Sequence, residues 1–190
     1  MCERIRGIEG FTSYSELPQF YIDAVISVED HRFENHCGID LIAIGRAMLT
    51  DIKEHSFIQG GSTITQQLAK NMLFTQEKKL ERKVAEVFAA LELECNYSKE
   101  DIFELYVNTS YFGNGYYGVR EAADGYFGKT FSEFSEYECA MLAGIPNAPS
   151  VYSPNAVNES TARRVECVLE SMVKNRIISQ EQAYNIEMEQ

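Results

Sequence analysis

A serine or threonine followed three residues later by glutamate or glutamine, ahead of an apolar run, marks a helix start. The two side chains satisfy each other's orphan backbone N–H groups. Thr63 with Gln66, Ser135 with Glu138 and Ser179 with Gln182 have this form. Leu17-Pro18 predicts another start, with proline in the first turn and Ile22, Val25 and Ile26 on the buried side. Residues 39–58 read as a mixed helical stretch, apolar on more than one side. Gln76 to Leu93 predicts a helix whose core stripe is Leu80, Val84, Val87, Phe88 and Leu91. Ser98 caps the next, with Ile102, Leu105 and Tyr106 buried. A glycine- and aromatic-rich loop spans 108–118, and a short helix follows through Val119, Ala122, Ala123 and Tyr126. The Ser135 helix ends at Gly144, and Pro146, Pro149 and Pro154 impose an extended connection. Thr161 to Lys174 is amphipathic through Val165, Val168, Leu169 and Met172. Residues 1–16 show no clear periodicity, and no stretch alternates like a strand. The fold class is mainly α.

The 190 residues suffice for one substantial domain with a smaller lobe. Seventeen basic against 29 acidic residues leave a net charge of −12. Nucleic-acid binding needs a basic surface, so nucleic acid is excluded as a partner, and a broad electrostatic grip on anionic lipid is disfavoured. Any anion site must be local. Cys2, Cys37, Cys95, Cys139 and Cys167 are scattered, without a C-x-x-C pair, and read as small buried hydrophobes rather than a disulfide or zinc framework. No apolar run reaches the roughly 20 residues that span a bilayer. The chain is then cytosolic or a piece of a longer, anchored one.

Gly60 to Asn71 offers an anion a place to sit. Two glycines allow close approach, and the capped helix start presents backbone N–H groups and a positive dipole end. Gln66 and Lys70 are four apart and share a side of that helix. An ordinary capped helix after a loop is the competing reading. Glu29 continues the apolar series of Val25 and Ile26, and a carboxyl there is either prepared for acid–base chemistry or has its head in water. Glu86 lies four residues after Arg82 and three after Lys83, which an exposed intrahelical pair worth about 0.3–0.5 kcal/mol would explain. Lys70, Lys78, Lys79, Arg82 and Lys83 nonetheless crowd cations into an acidic chain, which points to an anionic ligand or to a solvated charge run. Two glutamates together suggest glycosyl chemistry. His31 and His36 lack metal-ligand spacing, while Asp30 or Glu86 could meet a divalent cation held mainly by phosphates.

These residues resemble the peptidoglycan glycosyltransferase domain, glycosyltransferase family 51, of class A penicillin-binding proteins and monofunctional transglycosylases. Five motifs stand in order over about residues 17–154. They are Glu29-Asp30-His31-Arg32-Phe33 with His36-Cys37-Gly38-Ile39-Asp40; Gly60 to Asn71; Arg82-Lys83-Val84-Ala85-Glu86; Leu105 to Asn108 through Tyr111-Phe112-Gly113; and Ala140 to Gly144 with Pro149 to Tyr152. The resemblance implies a lysozyme-like helical fold with a large head lobe and a small membrane-facing jaw at about residues 39–60. It implies polymerisation of lipid II into glycan strands, inverting at the anomeric carbon and releasing undecaprenyl pyrophosphate. Glu29 and Glu86 match the two catalytic glutamates. Asp30, Phe33, Ser62, Gln67, Lys70, Lys78, Arg82 and Lys83 match substrate-binding positions. No cofactor is obligatory, although the scheme admits Mg²⁺ or Mn²⁺ at the pyrophosphate. The implied partners are lipid II, the growing strand, a membrane surface met by the jaw, and a transpeptidase domain or other cell-wall synthesis proteins. Moenomycin is the expected inhibitor.

The family has an N-terminal transmembrane anchor, so residues 1–190 are expected to be a single domain excised from an anchored parent at the extracytoplasmic face. Two rival readings are a lysozyme-like glycan-cleaving enzyme using Glu29 as acid and an inactive lipid-binding domain. Cleavage needs no phosphate-holding apparatus, and an inactive domain is expected to lose Glu29, Lys70 or Glu86.

Overall fold

The structure, a computed structural model, describes residues 2–46, 61–73, 80–154 and 159–189, without the side chains of 80–82. The described residues are mainly α-helical, and their one β feature is an isolated bridge between Tyr111 and Tyr117. The chain divides into two compact units, Met1–His31 with Val107–Gln190, and Arg32–Tyr106.

In the first unit α1 is Cys2–Arg6, which the sequence pattern does not announce, and α2 is Gln19–Glu29. Pro18 is the N-cap of α2 rather than part of its first turn. Tyr21, Ile22, Ala24 and Val25 are the buried side of α2. The unit continues through α7 (Val119–Phe127), α8 (Glu136–Gly144), α9 (Pro149–Tyr152), α10 (Glu159–Lys174) and α11 (Gln180–Glu187). Helices α2, α8 and α10 pack pairwise and form its centre. Ala140 and Ala143 line α8 where it is buried, and such short side chains let neighbouring helices approach closely. Helix α10 contributes Val165, Val168, Leu169 and Met172, as its spacing predicts.

The capping boxes at Ser135 and Ser179 form as expected. The same tetrad at Ser13–Glu16 and Thr130–Glu133 opens only short 3-10 turns. The proline segment corrects the expected extended connection. Ile145–Asn147 is a 3-10 turn and α9 is helical, because Pro146 and Pro149 occupy first-turn positions whose N–H needs no partner.

The second unit holds α3 (41–46), α4 (Ile64–Leu73), α5 (Leu80–Asn96) and α6 (Lys99–Thr109), the last reaching Tyr106 within it. Of the mixed stretch 39–58, residues 47–58 lie outside the described residues, as does most of the jaw expected at 39–60. Thr63 opens α4 with both capping bonds, its N–H to Gln66 Oε1 and the Gln66 N–H to its Oγ1, each 3.1 Å. Its hydroxyl also donates to the Gly38 carbonyl at 2.7 Å. Gly38 has φ +82°, and a Cβ there would lie 2.9 Å from the Ala90 carbonyl, so glycine alone fits where this loop crosses α5.

Helix α5 overturns the expected core stripe. Val84, Phe88 and Leu91 are exposed, Phe88 by 67%. The buried side instead carries Glu86 and Ala90, and one turn on, the largely buried Glu94. Polar partners compensate the inversion. The Thr65 hydroxyl donates to Glu94 Oε1 at 2.6 Å, and Lys99 Nζ donates to the same oxygen at 2.8 Å and to the His36 carbonyl at 2.7 Å. The cysteine expectation is corrected too. All five are free thiols, and Cys2 and Cys139 are buried while Cys37, Cys95 and Cys167 are exposed.

Candidate active site

Glu29 is the last residue of α2, which stops because Asp30 adopts φ −157°. The Glu29 side chain is 8% exposed. Burying a carboxylate costs several kcal/mol unless a cation and hydrogen bonds accompany it. Here Arg164 of α10 supplies them, with Nη2 donating to Glu29 Oε1 at 3.0 Å. The guanidinium is itself held, with Nε donating to the Gly144 carbonyl at 3.1 Å and Cζ over the Tyr152 ring, 5.6 Å from its centroid. Asp30 is buried, and its N–H closes α2 onto the Ile26 carbonyl.

The second unit gathers Ser62, Lys83 and Glu86. Lys83 Nζ donates to Ser62 Oγ at 2.9 Å and lies 3.2 Å from Glu86 Oε2. Glu86 is 2% exposed, so the expected surface pair is instead a partly exposed lysine over a buried carboxylate. One ammonium donor is spent on the Ser62 hydroxyl, just before the N-cap of α4, while the charge stands against the Glu86 carboxylate. The Tyr106 hydroxyl donates to Gln67 Oε1 across 3.4 Å, which orients that amide. Lys70 is exposed one turn further along α4. Gln66 does not share its direction into a ligand, because its amide curls back into the capping box and is buried.

Phe33 is 1% exposed and belongs to the core of this unit. Its ring packs on Phe103 and His36, with Lys99 Nζ 4.5 Å from its centroid. Lys78 and the side chain of Arg82 lie outside the described residues. Among the described residues no three His, Cys, Asp or Glu side chains are gathered as a metal ligand set.

The site residue that sequence reasoning missed is Arg164, 135 positions from its partner. Its signal in the sequence was slight. It borders the buried stripe of α10, three residues after Thr161 and four before Val168.

The family described as Transglycosylase matches residues 6–173. Penicillin-binding protein 1A of Aquifex aeolicus is 43% identical over 172 residues, which is 90% of this chain and 24% of that protein. Penicillin-binding protein 1F of Bacillus subtilis is 43% identical over 171 residues, again 90% and 24%. Penicillin-binding protein 1A of Pseudomonas aeruginosa is 41% identical over 168 residues, 88% of this chain and 20% of that protein. The chain thus spans a quarter or less of the length of these curated relatives.

Proposed function

The chain belongs to the transglycosylase family, the peptidoglycan glycosyltransferase domain of class A penicillin-binding proteins, and from that premise we propose that it polymerises lipid II into glycan strands. The observation that carries this reading is Glu29, a buried carboxylate kept by an arginine at the break of a helix. In the proposed reaction Glu29 accepts the proton of the acceptor's GlcNAc 4-hydroxyl. The oxygen attacks the anomeric carbon of the MurNAc at the donor's reducing end. The C–O bond to the pyrophosphate breaks on the opposite face, giving inversion and free undecaprenyl pyrophosphate.

The leaving group gains charge as that bond breaks, and cations or N–H dipoles already in place act most strongly there. Lys83, steadied by Ser62 and Glu86, is suited to that role, with Lys70, Lys78 and Arg82 as further cations and Gln67 as a sugar or phosphate contact. Glu86 then acts by holding Lys83 rather than by moving a proton. A divalent cation at the pyrophosphate takes most of its ligands from phosphate oxygens, a role that needs few protein ligands.

Among the described residues no helix is long and apolar enough to cross a membrane. Leu41 and Ile42 on α3 and Val84, Phe88 and Leu91 on α5 are exposed apolar side chains of the second unit. They support contact with the outer surface of the cell membrane, where a lipid-linked substrate is found. The test is incubation with lipid II and, separately, with finished peptidoglycan, with and without EDTA. Long strands from lipid II are expected, and shortening of finished peptidoglycan instead would mark a cleaving enzyme. Glu29→Gln is expected to lower polymerisation by about 10²–10⁴ while lipid II binding survives. Normal turnover by that variant would sink the assignment.

A further inference from the structure

Arg164 touches the catalytic carboxylate but is itself fixed from elsewhere in the first unit. Its Nε donates to the Gly144 carbonyl at the end of α8, its Cζ stands over the Tyr152 ring of α9, and Nη2 reaches Glu29 at the end of α2. A glutamate has three side-chain torsions, and a base that wanders is a poor one. A misplacement of about 1 Å can cost on the order of 10²-fold in rate.

Gly144 explains how the arginine enters this position. Its backbone is φ −78°, ψ −26°, ordinary right-handed helix that any residue adopts. Glycine is therefore not there for conformational freedom. A Cβ at position 144 would come 2.8 Å from Arg164 Cγ and 3.5 Å from its Nε. The missing side chain is the space through which the arginine stem passes to Glu29.

We infer that Arg164 is the positioning residue of the base and that Gly144 is a glycine in order to admit it. This rests on the reading of Glu29 as the base of lipid II polymerisation. Lysine does not replace the arginine, because a single ammonium lacks the separate Nε that holds Gly144 while the Nη2 holds the carboxylate. The alanine at 144 is helix-compatible and favoured over glycine by propensity, so it displaces the stem without unfolding α8.

The experiment compares the wild-type chain with Arg164→Ala, Arg164→Lys, Gly144→Ala and, as a control, Arg163→Ala in steady-state lipid II polymerisation, with melting temperatures. Arg163 is the exposed neighbour of Arg164 on α10 and pairs with Glu159. Expected for Arg164→Ala is a kcat loss on the order of 10²-fold with KM within about twofold, partly restored by added millimolar guanidinium. Arg164→Lys and Gly144→Ala are expected to fall about tenfold in kcat at unchanged KM, and Arg163→Ala not to change. Full turnover by Arg164→Ala and Gly144→Ala would overturn the inference. So would a rise in KM alone, or a kcat loss that follows melting temperature and ignores guanidinium. Should Arg164→Ala fail to fold, Arg164→Lys and Gly144→Ala decide the matter. A wild-type chain that makes no glycan from lipid II would instead overturn the proposed function, and this inference with it.

Discussion

Asp40 belongs to the sequence signature around Glu29, and the residue scale shows what it does. Its Oδ1 accepts the N–H groups of Ile42 and Ala43 at 2.9 and 3.0 Å, so it caps α3. Its Oδ2 lies 3.0 Å from Arg32 Nε, as an ion pair without the alignment of a hydrogen bond. Burial alone would raise its pKa, but the Ala43 and Ile42 N–H groups with Arg32 and His36 outweigh it and hold it below the ordinary value. A carboxylate lowered on folding stabilises above its unfolded pKa, and that stabilisation is lost as pH falls through the folded pKa. Asparagine still caps a helix but neither titrates nor pairs with Arg32. Asp40→Asn is therefore expected to melt below wild type at pH 7, with the gap closing below about pH 4. Parallel melting curves against pH would refute this. The same scale explains what was legible in the site. A carboxylate on an apolar helix stripe marks Glu29 from sequence alone. Its arginine is only slightly marked there, because the pair exists only once α2 and α10 have packed.

Helices were legible as elements because their signals are local. A capping box needs four residues, and those at Thr63, Ser135 and Ser179 open helices where the sequence places them. Which face a helix buries is not local, and α5 shows the consequence. Its apolar residues recur at helical spacing, yet the unit buries Glu86 and Ala90, with Glu94 supplied with Thr65 and Lys99 as partners. The pattern assumes that a helix turns its apolar side inward, and here α5 turns Glu86 inward and Val84, Phe88 and Leu91 outward. A buried phenylalanine costs about 3–5 kcal/mol when cut to alanine, and an exposed one is within about 0.5 kcal/mol. In denaturant unfolding Phe88→Ser is expected to leave stability almost unchanged, whereas Leu68→Ala on the buried side of α4 lowers it by about 2–5 kcal/mol. A Phe88→Ser protein as damaged as Leu68→Ala would restore the sequence-based stripe.

At the scale of the whole molecule, charge and apolar exposure pull in different directions. The chain carries −12, so an anionic membrane repels it as a body, while Leu41, Ile42, Val84, Phe88 and Leu91 offer a bilayer apolar contacts. Of the cations crowded into residues 70–83, Lys83 already faces Glu86. Salt separates these contributions, because the Debye length falls from about 30 Å at 0.01 M to about 10 Å at 0.1 M. If apolar side chains make the contact, adding salt screens the repulsion and leaves the attraction in place. Binding to anionic vesicles is then expected to strengthen with ionic strength, and binding to neutral vesicles to stay level. Leu41→Ser with Phe88→Ser is expected to weaken both in co-sedimentation. Anionic-vesicle binding that instead falls as salt rises, and survives the double substitution, would move the membrane contact to the cationic residues around Lys70 and Lys83.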